Sequence, residues 1–191
     1  MNDKTLAILA GGQSSRMNHR NKALMTYQDK TFIERLIEAG EDFEEVIIIA
    51  NDPTPYQLLN VRVIPDLSQG HGPLSGIEAA LHEAKTAHVL CVACDMPLVR
   101  KEVLNYLADY EEGYDVLVPV YDERLQPLCA VYHQSIKDKV HEALMNQEYK
   151  LQSFIRRLNY EVVTTMGDEC FLQTDFMNVN TPTDFLTLEA I

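Results

Sequence analysis

The sequence predicts a single α/β domain in which a mostly parallel sheet lies between two layers of helices. Three observations predict it. Short, wholly apolar runs recur along the chain, as expected for strands buried on both faces. They alternate with stretches of helical periodicity, the signature of β-α-β units. The 191 residues suit one domain with a sizeable core and would be cramped as two.

The elements follow in order. "TLAIL" at 5–9 is a buried strand, and "TFIERLIEAG" at 31–40 places Phe32, Ile33, Leu36 and Ile37 at helical spacing before Gly40 stops it. "EEVIIIA" at 44–50 is a second buried strand, and "VRVI" at 61–64 is a short third one ended by Pro65 and Asp66. Residues 73–84 form a helix opened by Pro73. "HVLCVA" at 88–93 is the fourth strand, "EVLNYLADY" at 102–110 a helix and "DVLVPVY" at 115–121 a strand. Beyond these, "QPLCAVYH" reads as a strand, "SIKDKVHEALMNQ" and "LQSFIRRLN" as helices, and "YEVVTT" as a strand. "FMNVNTPTDFLTLEAI" reads as a strand, a turn and a final helix capped by Thr181 with Pro182 at its first position. Residues 1–191 are therefore one domain.

The formal net charge is −13. A main partnership with nucleic acid would need a broad basic surface and is excluded on that ground. A small anionic ligand held by a local cation cluster is not. No apolar run approaches the roughly 20 residues that span a bilayer, and "MNDKT" has no signal pattern, so the expected location is the cytoplasm. Four cysteines give no disulfide framework. Cys91 and Cys94 form a C-x-x-C pair on a predicted buried strand, where a spacing of three points them to opposite faces and makes them structural. The six histidines show no metal-ligand spacing, and most of them read as surface residues.

In open α/β sheets ligands bind outside the carboxyl ends of the strands, and three unusual stretches fall there. After the first strand comes "LAGGQSSRMNHRNKAL", with Gly11 and Gly12 and then Arg16, Arg20 and Lys22. Its glycines allow close backbone approach and positive φ, its amides can form an anion nest, and Arg16 and Lys22 would add charge-assisted bonds to phosphate oxygens. It is neither a Walker A loop nor G-x-G-x-x-G; the competing reading is a polar turn with solvated cations. "CDMPLV" puts Asp95 where a carboxylate could hold Mg²⁺, or could cap the next helix. "GHGPLSG" at 70–76 is either a tight loop or a surface for a flat base. In "NVNTP", Asn178 and Asn180 would share a strand face; Asn180 is a neutral metal or water ligand, or a turn residue.

Taken in order, "LAGGQSSRM", "NKAL", "VIPD", "GPLSGI", "CDMPLV", "QPLCAVY" and "NVNTPTDF" resemble the molybdenum cofactor guanylyltransferase family, from residue 6 to about residue 185. The resemblance implies a Rossmann-like three-layer sandwich of the nucleotide-diphospho-sugar transferase type. Residues 1–110 would form the nucleotide-binding half and 111–191 the acceptor-binding half. The implied reaction transfers GMP from GTP to the terminal phosphate of molybdopterin in the molybdenum cofactor, with Mg²⁺ and release of pyrophosphate. Molybdoenzyme maturation proteins are implied as further partners, and neither nucleic acid nor membrane is. By match of motif, Leu9, Ala10 and Gly11 belong to the nucleotide loop and Gly12 leaves space for the purine. Arg16 and Lys22 are the phosphate-binding cations, Asp66 lies on the nucleoside side, Asp95 is the Mg²⁺ ligand, and Asn180 lies near metal and acceptor phosphate. Arg16, Lys22 and Asp95 form the implied catalytic set. Arg156 or Arg157, with Lys150, could face the anionic acceptor or simply lie on a solvated helix.

The chain departs from the family pattern at Asn18, where a glycine is common, and at Asn21, where an aspartate is. The family's asparagine after the second strand falls on Ile49 or near Asn51, depending on register. The alternatives in the same class are a molybdopterin cytidylyltransferase and a sugar-phosphate nucleotidyltransferase. From another class comes a GTP- or molybdopterin-binding protein without turnover.

Overall fold

The computed structural model describes residues 2–11, 21–68, 70–111, 113–165 and 167–191. The chain begins with β1 (Asn2–Leu9). A 3₁₀ turn at Lys22–Leu24 and a small antiparallel hairpin of β2 (Thr26–Tyr27) and β3 (Lys30–Thr31) lead into α1 (Phe32–Ala39). Helix α1 starts at a reciprocal cap between Thr31 and Glu34 and stops at Gly40, which satisfies amides that the first turn would otherwise leave unpaired. Next come β4 (Phe43–Ile49), a 3₁₀ turn at Thr54–Leu59, β5 (Arg62–Ile64) and α2 (Pro73–Glu83). Gly72 caps α2 at a φ of +73°, a conformation that L side chains rarely adopt.

Strand β6 (His88–Ala93), α3 (Lys101–Ala108), β7 (Val116–Tyr121), β8 (Arg124–Leu125) and β9 (Cys129–His133) follow. The chain closes with α4 (Lys137–Met145), α5 (Leu151–Ile155), β10 (Tyr160–Thr164) and α6 (Pro182–Glu189).

The main sheet runs β10-β7-β9-β6-β1-β4-β5, with β8 paired to β7. The pairs β6-β1, β1-β4, β4-β5 and β7-β10 are parallel. Strand β9 is antiparallel to both of its neighbours, and β8 is antiparallel to β7. Side chains alternate across the sheet. Leu6, Ile8, Ile48, Leu90 and Val92 pack toward Ile33 and Leu36 of α1 and Leu104 and Leu107 of α3. Ala7, Leu9, Ile47, Ile49, Val89 and Cys91 pack toward Leu74, Ile77 and Leu81 of α2 and Val140 and Leu144 of α4. Three layers with two separate cores result. A third, smaller cluster joins Phe32, Tyr27, Val179 and Leu188, and docks α6 against the start of α1.

Two expectations need correction. Residues 176–179 form no strand. Phe176 and Val179 are buried and Asn178 is exposed, a spacing that does not fit a two-residue period. The backbone bonds instead to the loop after β6, through Val179 N–H to the Asp95 carbonyl at 2.8 Å. The helix expected across "LQSFIRRLN" stops at Ile155 and turns through Arg156 and Arg157 to reach β10.

Candidate functional site

Strand β1 lies between β6 and β4. From β1 the chain moves outward to β4 and β5, then returns to β6 on the other side, so the sheet has its topological switch point at the carboxyl end of β1. The loops after β1 and β6 are bonded to each other through Cys94 N–H to Leu9 O at 3.1 Å. Ala10 N–H donates to Ile49 O at 2.9 Å and carries the β1-β4 ladder one residue past the strand. Leu9 is buried, Ala10 half-buried and Gly11 exposed. Gly12 and Arg16 lie outside the described residues, as does the departure at Asn18.

The chain is described again at Asn21, whose side chain does two things. Its Oδ1 accepts from Ala23 N–H at 3.1 Å and caps the 3₁₀ turn, and its Nδ2 donates to the Tyr56 hydroxyl at 2.9 Å. Tyr56 is almost fully buried, so Asn21 is tied to the core. An amide supplies both the acceptor and the donor that this place uses. The turn presents Lys22, and its Nζ donates to Asn180 Oδ1 at 2.6 Å.

Asp95 sits in the turn that ends β6. The cap residue of α3 is Arg100, so Asp95 is not that helix's cap. Its Oδ1 is buried without a hydrogen-bond partner among the described residues. Burial pushes the Asp95 carboxyl above its ordinary value, opposed by the Lys22 charge, its own backbone amide and the Asn180 side chain. Lys22, Asp95 and Asn180 thus converge from three distant parts of the sequence. A carboxylate oxygen with no partner and an amide carbonyl are hard oxygen donors, the kind that suits Mg²⁺. Among the described residues no group of three or more His, Cys, Asp or Glu could hold a metal. An ion here would draw its remaining ligands from substrate phosphates or water.

On the other side of β1 stands Asp66, after β5. Asn51, after β4, grips it in both directions: Nδ2 donates to Asp66 Oδ2 and Oδ1 accepts from Asp66 N–H, each at 3.0 Å. A Cβ on Gly11 would lie 3.8 Å from Asp66 Oδ2, and one on Gly76 3.8 Å from Asp66 Oδ1. The carboxylate therefore stands between two glycines. Burial raises its pKa, Asn51 opposes this, and the nearby Glu78 adds to it. Gly11 is not among the described residues with positive φ; its lack of a side chain is what this place uses. Asp95 follows β6 and Asp66 follows β5, so β1 and β4 lie between the strands that carry the two carboxylates.

Sequence reading left Asn51 undecided, although the signal was there: a short polar residue directly after a buried strand, as with Asp66. It missed Tyr56, Glu78 and the pair Arg100–Asp175. A buried carboxylate within an apolar helix, as Glu78 is in α2, was a legible signal. Arg157 pairs with Glu148 and lies over the Phe154 ring, and both Arg156 and Arg157 are exposed. No contact among the described residues joins either to Lys22, Asp95 or Asn180. Cys91 and Cys94 are free thiols raised by burial, Cys94 to about 12, which fits a structural role. Among the described histidines His88 alone is buried, and His71, His82, His133 and His141 are half-buried or exposed. No helix among the described residues is long and apolar enough to cross a membrane.

Residues 6–163 match the model of a family described as MobA-like NTP transferase domain. The chain is 49% identical over 160 residues to a probable molybdenum cofactor guanylyltransferase of Clostridium perfringens, covering 84% of this chain and 81% of that protein. Its structure superposes with a TM-score of 0.83 on molybdopterin-guanine dinucleotide biosynthesis protein A from Archaeoglobus fulgidus, at 30% identity and covering 97% of each chain. The same fold occurs in 2-C-methyl-D-erythritol 4-phosphate cytidylyltransferase from Thermus thermophilus, at a TM-score of 0.69 and 17% identity, over 100% of this chain and 98% of that one.

Proposed function

Because the chain belongs to the MobA-like NTP transferase family, among relatives named molybdenum cofactor guanylyltransferase, we propose that it transfers GMP from GTP to the terminal phosphate of molybdopterin in the molybdenum cofactor. The observation that carries this reading is the convergence of Lys22, Asp95 and Asn180 at the switch point of the sheet, with Asp66 beyond β1 and β4. That arrangement gives one cation and two oxygen donors on the phosphate side, and a glycine-flanked carboxylate on the nucleoside side.

The chemistry needs no protein nucleophile. An oxygen of the acceptor phosphate forms a bond to the α-phosphorus of GTP while the bond to the bridging oxygen breaks in line, and pyrophosphate leaves with the negative charge. Lys22, with Arg16 and the amides of the loop after β1, neutralises that charge as it grows. Leu9, Ala10 and Gly11, with Gly12, let the nucleotide lie against the backbone, and Asp66 faces the nucleoside. Asp95 and Asn180 would hold Mg²⁺, which when bound supplies charge neutralisation at the reacting phosphates. Catalysis is then positioning and electrostatics. Residues 111–191 contribute the acceptor half, the reaction runs in the cytoplasm, and molybdoenzyme maturation proteins receive the product.

The test is thermal melting with GTP, CTP, ATP and UTP, each with and without Mg²⁺, followed by release of pyrophosphate in the presence of the acceptor. A ligand at about 100 times its dissociation constant adds roughly 2.7 kcal/mol to stability. A shift with GTP alone, enlarged by Mg²⁺, and pyrophosphate release are the expected results. A shift with CTP instead would move the chain to cytidylyl transfer. Binding without pyrophosphate release would make it a carrier.

A further inference from the structure

The segment that brings Asn180 to the site has no place in the sheet, so other bonds must hold it. The strongest is an ion pair. Arg100 Nε donates to Asp175 Oδ1 at 2.8 Å and Arg100 Nη2 to Asp175 Oδ2 at 2.9 Å, a two-pronged pair on a fully buried carboxylate. Arg100 Nη2 also donates to the Cys170 carbonyl at 2.6 Å, and Leu172 N–H donates to Asp175 Oδ2 at 2.6 Å. Arg100 makes no side-chain cap bond at the helix it begins; its guanidinium is spent on this junction. Phe176, next to Asp175, is buried and stacked between Phe171 and Tyr121.

The positions matter as much as the bonds. Arg100 follows Asp95 by five residues, and Asp175 precedes Asn180 by five. Between the two ends, Val179 N–H donates to the Asp95 carbonyl at 2.8 Å. Beyond Asn180, Asp184 accepts from the backbone amides of Asn180 at 2.8 Å and Thr181 at 2.7 Å. The segment that carries Asn180 is therefore joined to the one that carries Asp95 at two points before Asn180, and is held beyond it by the cap of α6. A two-pronged guanidinium–carboxylate bond fixes direction as well as distance, which a single contact between the loops would not.

We infer that Arg100 and Asp175 are positioning residues for the transfer reaction, setting Asn180 against Asp95 and Lys22. The inference rests on the function proposed above. Neither residue need touch substrate; each acts through Asn180.

The test is a double-mutant cycle on the full chain. R100K keeps the charge and loses the fork. It should lower kcat by roughly tenfold to a hundredfold, the scale of a displacement near 1 Å in a reacting geometry, while KM for GTP stays within about twofold. D175N should do the same, and D175E, which keeps the charge but lengthens the arm, replaces it if D175N does not fold. Placed on an N180A background, R100K should cost nothing further. A residue with a purely structural role would give losses that add. Additive losses, an unchanged kcat, or a change confined to KM would each overturn the inference. A second readout does not depend on turnover: the side-chain amide signals of Asn180 in a ¹H–¹⁵N spectrum, assigned by their loss in N180A, should move in R100K while backbone signals of Asn51 and Gly76 stay. If wild type releases no pyrophosphate, the functional reading fails, and the spectrum alone decides whether the clamp sets Asn180. Unmoved Asn180 signals would sink it.

Discussion

Asp95 and Gly11 illustrate how a single residue can be placed for chemistry at some cost to the free protein. The Asp95 carboxyl is held above its ordinary value chiefly by burial, so the native state binds its proton more tightly than the unfolded chain does. Stability is then greatest below the unfolded value, near 3.8, and is lost as pH rises through the raised folded one. Asp95→Asn mimics the protonated form. It should therefore melt higher than wild type at neutral pH, by about 2–4 °C if the gain is about 1 kcal/mol. The difference should close in acid, and the response to Mg²⁺ should vanish. Melting curves across pH and a Mg²⁺ titration check both. A lower melting temperature at neutral pH would show that the carboxylate stabilises the fold, and a surviving Mg²⁺ response would place the metal elsewhere. Gly11→Ala makes the complementary point. A Cβ there meets only ordinary contacts at 3.8 Å, so the variant should melt within about 1 °C of wild type. It should nevertheless lose the GTP-induced shift, because the methyl group stands between the backbone and the nucleotide. A retained shift would mean that the nucleotide does not lie against that residue.

At the scale of the element, the 3₁₀ turn Lys22–Leu24 has only three residues and cannot hold its own orientation. It borrows order from Asn21, which caps it and is tied to Tyr56 in the 3₁₀ turn between β4 and β5. Tyr56→Phe removes the acceptor of the Asn21 amide at a nearly buried site. The expected loss is about 1 kcal/mol of stability, with a further fall in kcat because the turn that presents Lys22 is loosened. Circular-dichroism melting and steady-state rates measure these separately. Loss of stability with kcat unchanged would show that Lys22 is oriented by other contacts. Asn21 had looked like a weakness in the motif, since an aspartate is common there. The structure gives it a local purpose that an amide serves with both ends.

At the scale of the molecule, the two cores share one sheet, and β1, β4 and β6 lie inside it with fully buried residues on both faces. The segment from Phe171 to Asn180 lies outside the ladder and is held by side chains. Hydrogen exchange should divide accordingly: amides of Leu6, Ala7, Ile8, Leu90 and Val92 exchange near the limit of global unfolding, and those of 171–178 exchange faster by orders of magnitude through local opening. Equal protection in both regions would mean that the segment unfolds only with the core.

Much of this was legible in the sequence, and the reasons are physical. Short apolar runs such as "VIII" and "HVLCVA" bounded by turn residues mark strands buried on both faces, and Gly40 and the Thr181–Pro182 pair mark a helix end and a helix start chemically. Those signals are local, so the α/β alternation, the three-layer class and the strand ends that carry Asp66 and Asp95 could be read without coordinates. The hairpin of β2 and β3 escaped because each strand has two residues, too few for any period. The strand expected at 176–179 was wrong because apolar residues also mark a segment that packs irregularly.

By itself the sequence determined the fold class, the order of the longer strands and helices and which polar residues stand at the carboxyl ends of strands, because each depends on neighbours within a few residues. Only the tertiary structure decided that Lys22 meets Asn180 across 158 residues, that Asn51 grips Asp66, and that Arg100 clamps Asp175. Those pairings depend on the order of strands in the sheet and on where an irregular segment comes to rest, and no local pattern of side chains encodes either.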